Sequence, residues 1–130
     1  MSDLDVNKIV SVNDMEMYLE ARGDGQPLIL LHGFTGSNVD WQLIFPTPLK
    51  GYRCIIPDLR GHGKSTNPSG QFTHREVAHD VFALLDHLGI GSFRAIGMST
   101  GGMVLLHMAT QQPDRVVSMF LESAAHYFPQ

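Results

Sequence analysis

Little in this chain could hold it together except a hydrophobic core. A single cysteine, Cys54, in 130 residues excludes a disulfide framework within one chain. It lies in the apolar run Cys54-Ile55-Ile56 and reads as a small core residue. Charge is sparse, at 17 % of residues, with a net charge of −4 and no cluster of Lys or Arg. Nucleic-acid binding therefore has little support. No apolar stretch approaches the ~20 residues that cross a bilayer, and the acidic start Met1-Ser2-Asp3-Leu4-Asp5 lacks the apolar run of a signal peptide. Repeats, low-complexity segments and linkers are absent too. These absences leave a single soluble globular domain, no membrane, and the cytoplasm as the expected location.

What is present is an alternation of strands and helices. Lys8 to Val12 and Met15 to Ala21 flank the turn Asn13-Asp14, and Met15, Met17 and Leu19 alternate with Glu16, Tyr18 and Glu20. That predicts a half-buried hairpin strand. Leu28 to Leu31 and Tyr52 to Ile56 are short apolar runs, as in strands covered on both faces. Val39 to Phe45 reads as a short helix before Pro46 and Pro48. From Thr73 to Leu88 the signal is clearest: a Thr73–Glu76 capping box, then Val77, Val81, Leu84, Leu85 and Leu88 on one face, closed by Gly89. A strand over Phe93 to Met98, a largely apolar helix from Gly102 to Gln112, and a last strand over Val116 to Leu121 complete the series. The order predicts a mostly parallel α/β sheet behind an N-terminal antiparallel hairpin, about six strands in all. Ligands of such sheets bind at the carboxyl ends of the strands.

Gly97-Met98-Ser99-Thr100-Gly101-Gly102 stands at such an end, between a strand and a helix. This is G-x-S-x-G in the setting of a nucleophile elbow. Ser99 must adopt a strained backbone there, and Gly97 and Gly101 relieve the crowding. Its hydroxyl then stands near a helix N-terminus, where free N–H groups favour developing negative charge. The alternative, a surface turn serine, stays open on this motif alone. Gly63-Lys64-Ser65 looks like the tail of a phosphate-binding loop, but that pattern needs a glycine where Asp58 stands. No cofactor or metal is called for by any motif.

Two further segments follow strands: His32-Gly33-Phe34-Thr35-Gly36, and Pro57-Asp58-Leu59-Arg60-Gly61-His62-Gly63-Lys64-Ser65. Together with the Ser99 elbow, and in this order, they resemble the α/β-hydrolase superfamily over nearly the whole chain. The resemblance implies a serine hydrolase acting on an ester or related acyl compound. It assigns the oxyanion hole to the backbone N–H groups of Phe34 and Thr100. It makes His32, Gly33, Asp58, Arg60, His62, Gly97 and Gly101 structural residues around the site. Serine at the elbow argues against the dehalogenase and epoxide-hydrolase branches, which place aspartate there. Phe34, Trp41, Met98 and Tyr127 are the expected pocket-lining residues, and Glu122 is a possible acid at the end of the sixth strand. His74, His79 and His87 are expected to be solvated or partly buried, and His107 to be a core histidine.

The resemblance also implies an acid after a seventh strand, a histidine after an eighth, and a cap, so that the sequence reads as the amino-terminal half of such a domain. On that reading the isolated chain is expected to be nearly inactive. A C–C bond hydrolase or lyase on the same scaffold, to which His32-Gly33-Phe34-Thr35-Gly36-Ser37 is similar, and a non-catalytic fragment or binding module are the other readings. The sixth strand, Val116 to Leu121, carries no charge and is expected to act as a sticky edge for self-association.

Overall fold

Asn13 adopts a left-handed φ of 52°, and the turn it makes folds β1 (Val6–Val12) back on β2 (Met15–Gly23). The pair is antiparallel, with Val12 opposite Met15. The computed structural model describes residues 5–47 and 49–122. Over these residues one sheet forms in the order β1-β2-β4-β3-β5-β6. Its remaining strands are β3 (Gln26–Leu31), β4 (Tyr52–Pro57), β5 (Phe93–Met98) and β6 (Val116–Glu122). β2 pairs antiparallel with β4, whereas β3–β4, β3–β5 and β5–β6 are parallel. The expected architecture, a mostly parallel sheet behind an N-terminal hairpin, is the one observed.

Successive residues of β3 serve opposite faces, so a run without polar breaks is required. Ile29 and Leu31 join Met17, Leu19, Val81, Leu85 and Val104 beneath α2 (His74–His87) and α3 (Thr100–Gln111). Leu28 and Leu30 join Trp41, Cys54 and Ile56 beneath α1 (Asn38–Ile44). The alternation expected for β2 holds only at its start. Tyr18 and Glu20 are buried as well, because β2 is an interior strand. Glu20 is satisfied there by Tyr18, Arg22 and Gln42.

Helix ends follow local chemistry with two departures from expectation. Thr73 caps α2 by accepting from Glu76 N–H at 3.1 Å. The Glu76 carboxylate does not close the box; it turns to Arg60, 3.6 Å away. The complete capping box belongs to α1, between Ser37 and Asp40. Helix α3 begins at Thr100 rather than Gly102, because the chain turns helical immediately after Ser99. Among the described residues no helix is long and apolar enough to cross a membrane.

Candidate active site

Ser99 is the residue between β5 and α3, with φ 50° and ψ −113°. A side chain in this left-handed region is strained, and such strain gathers at functional turns. Two hydrogen bonds and two close glycine approaches hold the turn in place. The Ser99 N–H donates to the Glu122 carbonyl at 2.7 Å, and the Ser99 carbonyl accepts from Met103 N–H at 3.0 Å. A Cβ on Gly97 would lie 2.6 Å from the Gly101 backbone, and one on Gly101 would collide with the Leu31 carbonyl oxygen. Both positions therefore admit only glycine. Thr100 is the first residue of α3, so its N–H has no acceptor within the helix.

The segment after β3 comes to the same place. A Cβ on Gly33 would sit 3.5 Å from Ser99 Cβ. Gly33 to Gly36 form a tight turn, closed by Gly36 N–H donating to the Gly33 carbonyl at 3.0 Å, with Thr35 at φ 68°. His32 is fully buried and anchors the turn's entry. Its Nε2 accepts from Leu59 N–H at 3.0 Å, so Nδ1 carries the proton and donates to the Gly33 carbonyl at 2.7 Å. Burial pushes the His32 pKa below the usual histidine value. A neutral imidazole with both nitrogens committed is a strut.

The loop after β4 is held by buried charge. Asp58 accepts from Asn38 N–H, Asn38 Nδ2 and Lys64 N–H at 2.7, 2.8 and 2.9 Å. Arg60 is buried and donates to both oxygens of Asp80 at 2.8 and 2.9 Å, and to Asp14 at 2.6 Å. These hydrogen bonds raise the Arg60 pKa and lower that of Asp14. One guanidinium thus ties the hairpin turn, the β4 loop and α2 together. His62 Nδ1 lies 2.9 Å from the Arg60 carbonyl, and its ring stands 5.3 Å from Phe34 and 5.5 Å from Phe72. Phe34 itself is 62 % exposed, an aromatic surface next to Gly33.

The other sequence-selected residues are placed differently. Trp41, expected to line the pocket, is 2 % exposed in the apolar layer under α1, stacked on Phe45. It borders a groove of about 350 Å³ that Leu30, Gln42, Phe45 and Ile56 also line. Met98 packs against the same layer. Glu122 ends β6 opposite Met98, and its main chain touches Ser99. His74 is buried, contrary to expectation, with its pKa lowered by burial; His79 and His87 are exposed, and His107 is half-buried, its ring 6.2 Å from that of His74. Tyr127 lies outside the described residues. Asn38, Gln42, Glu20 and Asp80 were missed by sequence reasoning. They are polar residues whose partners are distant in sequence, and only Asn38, next to the cap Ser37, carried a local signal. Among the described residues no group of three or more His, Cys, Asp or Glu side chains is arranged to hold a metal.

Known proteins share this fold. Over 110 residues the chain is 36 % identical to a soluble epoxide hydrolase of Corynebacterium sp. (strain C12), covering 85 % of this chain and 38 % of that protein. The solved epoxide hydrolase CorEH superposes with a TM-score of 0.87 at 32 % identity, over 96 % of this chain and 47 % of that one. Est816, described as an N-acyl homoserine lactone degrading enzyme, superposes with a TM-score of 0.83 at 30 % identity, over 90 % and 45 % of the two chains. The chain spans less than half the length of each. Residues 26–130 match the family described as the alpha/beta hydrolase fold, and the chain belongs to that family.

Proposed function

We propose that this chain carries the nucleophile and oxyanion hole of a cytoplasmic serine hydrolase that cleaves a carboxylic ester or related acyl compound. Ser99 Oγ attacks the acyl carbon, the oxygen charge is met by the N–H groups of Thr100 and Phe34, and the alcohol leaves with a proton. Water then hydrolyses the acyl-enzyme. The observation that carries the reading is the strained Ser99 turn standing against Gly33. Each oxyanion donor is worth about 3 kcal/mol in the transition state. Phe34 and Met98 are the lining residues we assign, and Glu122 the acid, on its position beside Ser99 at the end of β6.

Chemistry favours an acyl substrate over an epoxide, although relatives are named epoxide hydrolases. A serine alkoxide that opens an epoxide leaves an ether, which water does not cleave. A serine acyl ester is hydrolysed readily. Est816, named for a lactone-degrading activity, lends support to acyl chemistry on this fold. The base that Ser99 requires is not assigned among the described residues, since His32 and His62 bond to backbone groups. Without a base at Ser99, only the contribution of binding and the oxyanion hole would remain, about 10³–10⁴-fold over water.

A fluorophosphonate probe followed by peptide mapping tests the nucleophile. The expected result is slow modification at Ser99, assisted by the oxyanion hole alone, that Ser99→Ala abolishes. Failure of the probe to modify Ser99, or modification elsewhere only, would reject an activated serine in this chain. Turnover of short-chain esters against an epoxide and a diketone then separates ester cleavage from the C–C hydrolase or lyase reading.

A further inference from the structure

The Gly33–Gly36 turn is held at its far end by a group that the helix it leads into does not need. Ser37 already caps α1, and Asp40 closes the capping box. Asn38, the next residue, is nonetheless 4 % exposed and fully engaged. Its N–H and Nδ2 converge on one oxygen of Asp58, at 2.7 and 2.8 Å. Its Oδ1 accepts from Gln42 Nε2 at 3.0 Å, and Gln42 also donates to Glu20 Oε1 at 2.6 Å. Arg22 grips the same Glu20 oxygen. A buried relay thus runs from β2 through α1 to the loop after β4.

The consequence is geometric. His32 fixes the entry to the turn by its bond to Leu59 N–H, and Asn38 fixes the exit by its bonds to Asp58. Leu59 and Asp58 are neighbours on one loop. Both ends of the Gly33–Gly36 turn therefore refer to the same rigid segment, and the turn has no freedom to slide along Ser99. Asp58 would keep donors from the Asn38 and Lys64 main chain if the Asn38 amide were removed. The side-chain amide thus adds registration of the turn beyond the satisfaction of a buried charge.

We propose that Asn38 is a positioning residue for the oxyanion hole: through Asp58 it sets where the Phe34 N–H stands relative to Ser99. This rests on the reading of Ser99 as nucleophile and Phe34 N–H as oxyanion donor. Asn38→Ala removes the amide and spares the helix cap. Asn38→Ser returns a short donor that reaches towards Asp58.

Two measurements on the full chain decide it. Amide exchange is expected to rise about tenfold in residues 33–37 of Asn38→Ala, the loss of one net hydrogen bond, with α2, α3 and β5 unchanged. The rate of Ser99 modification by the fluorophosphonate is expected to fall between about tenfold and a hundredfold, as for a misplacement near one ångström, with partial recovery in Asn38→Ser. A uniform rise in exchange, or none, would overturn the proposal by making Asn38 a general stability residue or an idle one. Unchanged modification of Asn38→Ala beside modified wild type would overturn it equally. If wild type is itself unmodified, the serine reading fails, while the exchange pattern still decides whether Asn38 positions the turn.

Discussion

At Ser99 a side chain occupies backbone space that suits glycine. The φ of 50° costs about 1–3 kcal/mol for a residue with a Cβ, and the surroundings impose it. Gly97 and Gly101 leave no room for the turn to relax, and the Glu122 carbonyl holds the Ser99 N–H. Stability and chemistry are therefore opposed at one residue. Ser99→Gly is expected to raise the unfolding free energy by about 1 kcal/mol, after the entropy that glycine loses on folding is subtracted. Ser99→Ala, which keeps the Cβ and the strain, is expected to stay near wild type. Urea titrations of the three proteins check this, and equal midpoints for the glycine and alanine variants would mean that the turn stores no strain.

Elements were legible in the sequence wherever their signals were local. The α2 stripe, its Thr73 cap and the Asn13-Asp14 hairpin turn all lie within a few residues of what they determine, and all appear in the structure. The start of α3 was read two residues late, at Gly102 instead of Thr100, although Gly101 is a helical residue packed where no side chain fits. At the site, the three convergent loops were legible from their motifs. The ties between them were not. Asn38 with Asp58, Glu20 with Gln42 and Arg60 with Asp80 each join residues about twenty positions apart, and no periodicity marks such pairs.

The His32 tie between β3 and the β4 loop carries a pH dependence. Its folded pKa lies below the 6.5 of the free side chain because burial disfavours the imidazolium, and His74 is shifted in the same direction for the same reason. Below pH 6.5 the unfolded chain thus binds protons that the folded chain refuses. Stability is full above pH 6.5 and falls as the pH drops below it, by at most about 1.4 kcal/mol per pH unit for His32 alone. Urea midpoints measured between pH 7 and pH 5 are expected to fall on acidification. In His32→Gln, which cannot titrate, the slope is expected to be shallower although stability is lower throughout. An unchanged slope would assign the pH dependence to other groups.

The two faces of the sheet are unequally covered. Strands spaced about 4.8 Å apart make a six-stranded sheet roughly 24 Å across, and a helix with its side chains is about 10 Å wide, so each face has room for two helices. One face carries α2 and α3. Among the described residues the other carries only α1, about two turns long, with Leu43 78 % exposed on its outer side. A groove of about 350 Å³ opens beside Trp41 on that face, and Trp41 Nε1 is buried there without an acceptor among the described residues. Farther across, Phe120 on β6 is 64 % exposed. Among the described residues β6 pairs only with β5, and Val116 to Leu121 carry no charge. An uncharged edge beside an uncovered apolar face is a template for another strand. We propose that two copies of the chain pair β6 against β6, in a two-fold arrangement that continues the sheet and brings each Phe120 under cover. Sedimentation velocity over a dilution series is expected to show a monomer–dimer equilibrium. Phe120→Lys is expected to shift it to monomer while changing stability by less than about 0.5 kcal/mol, since the side chain touches little in the single chain. A wild-type chain that sediments as a monomer at every concentration, or a lysine variant that still dimerises, would rule out this edge.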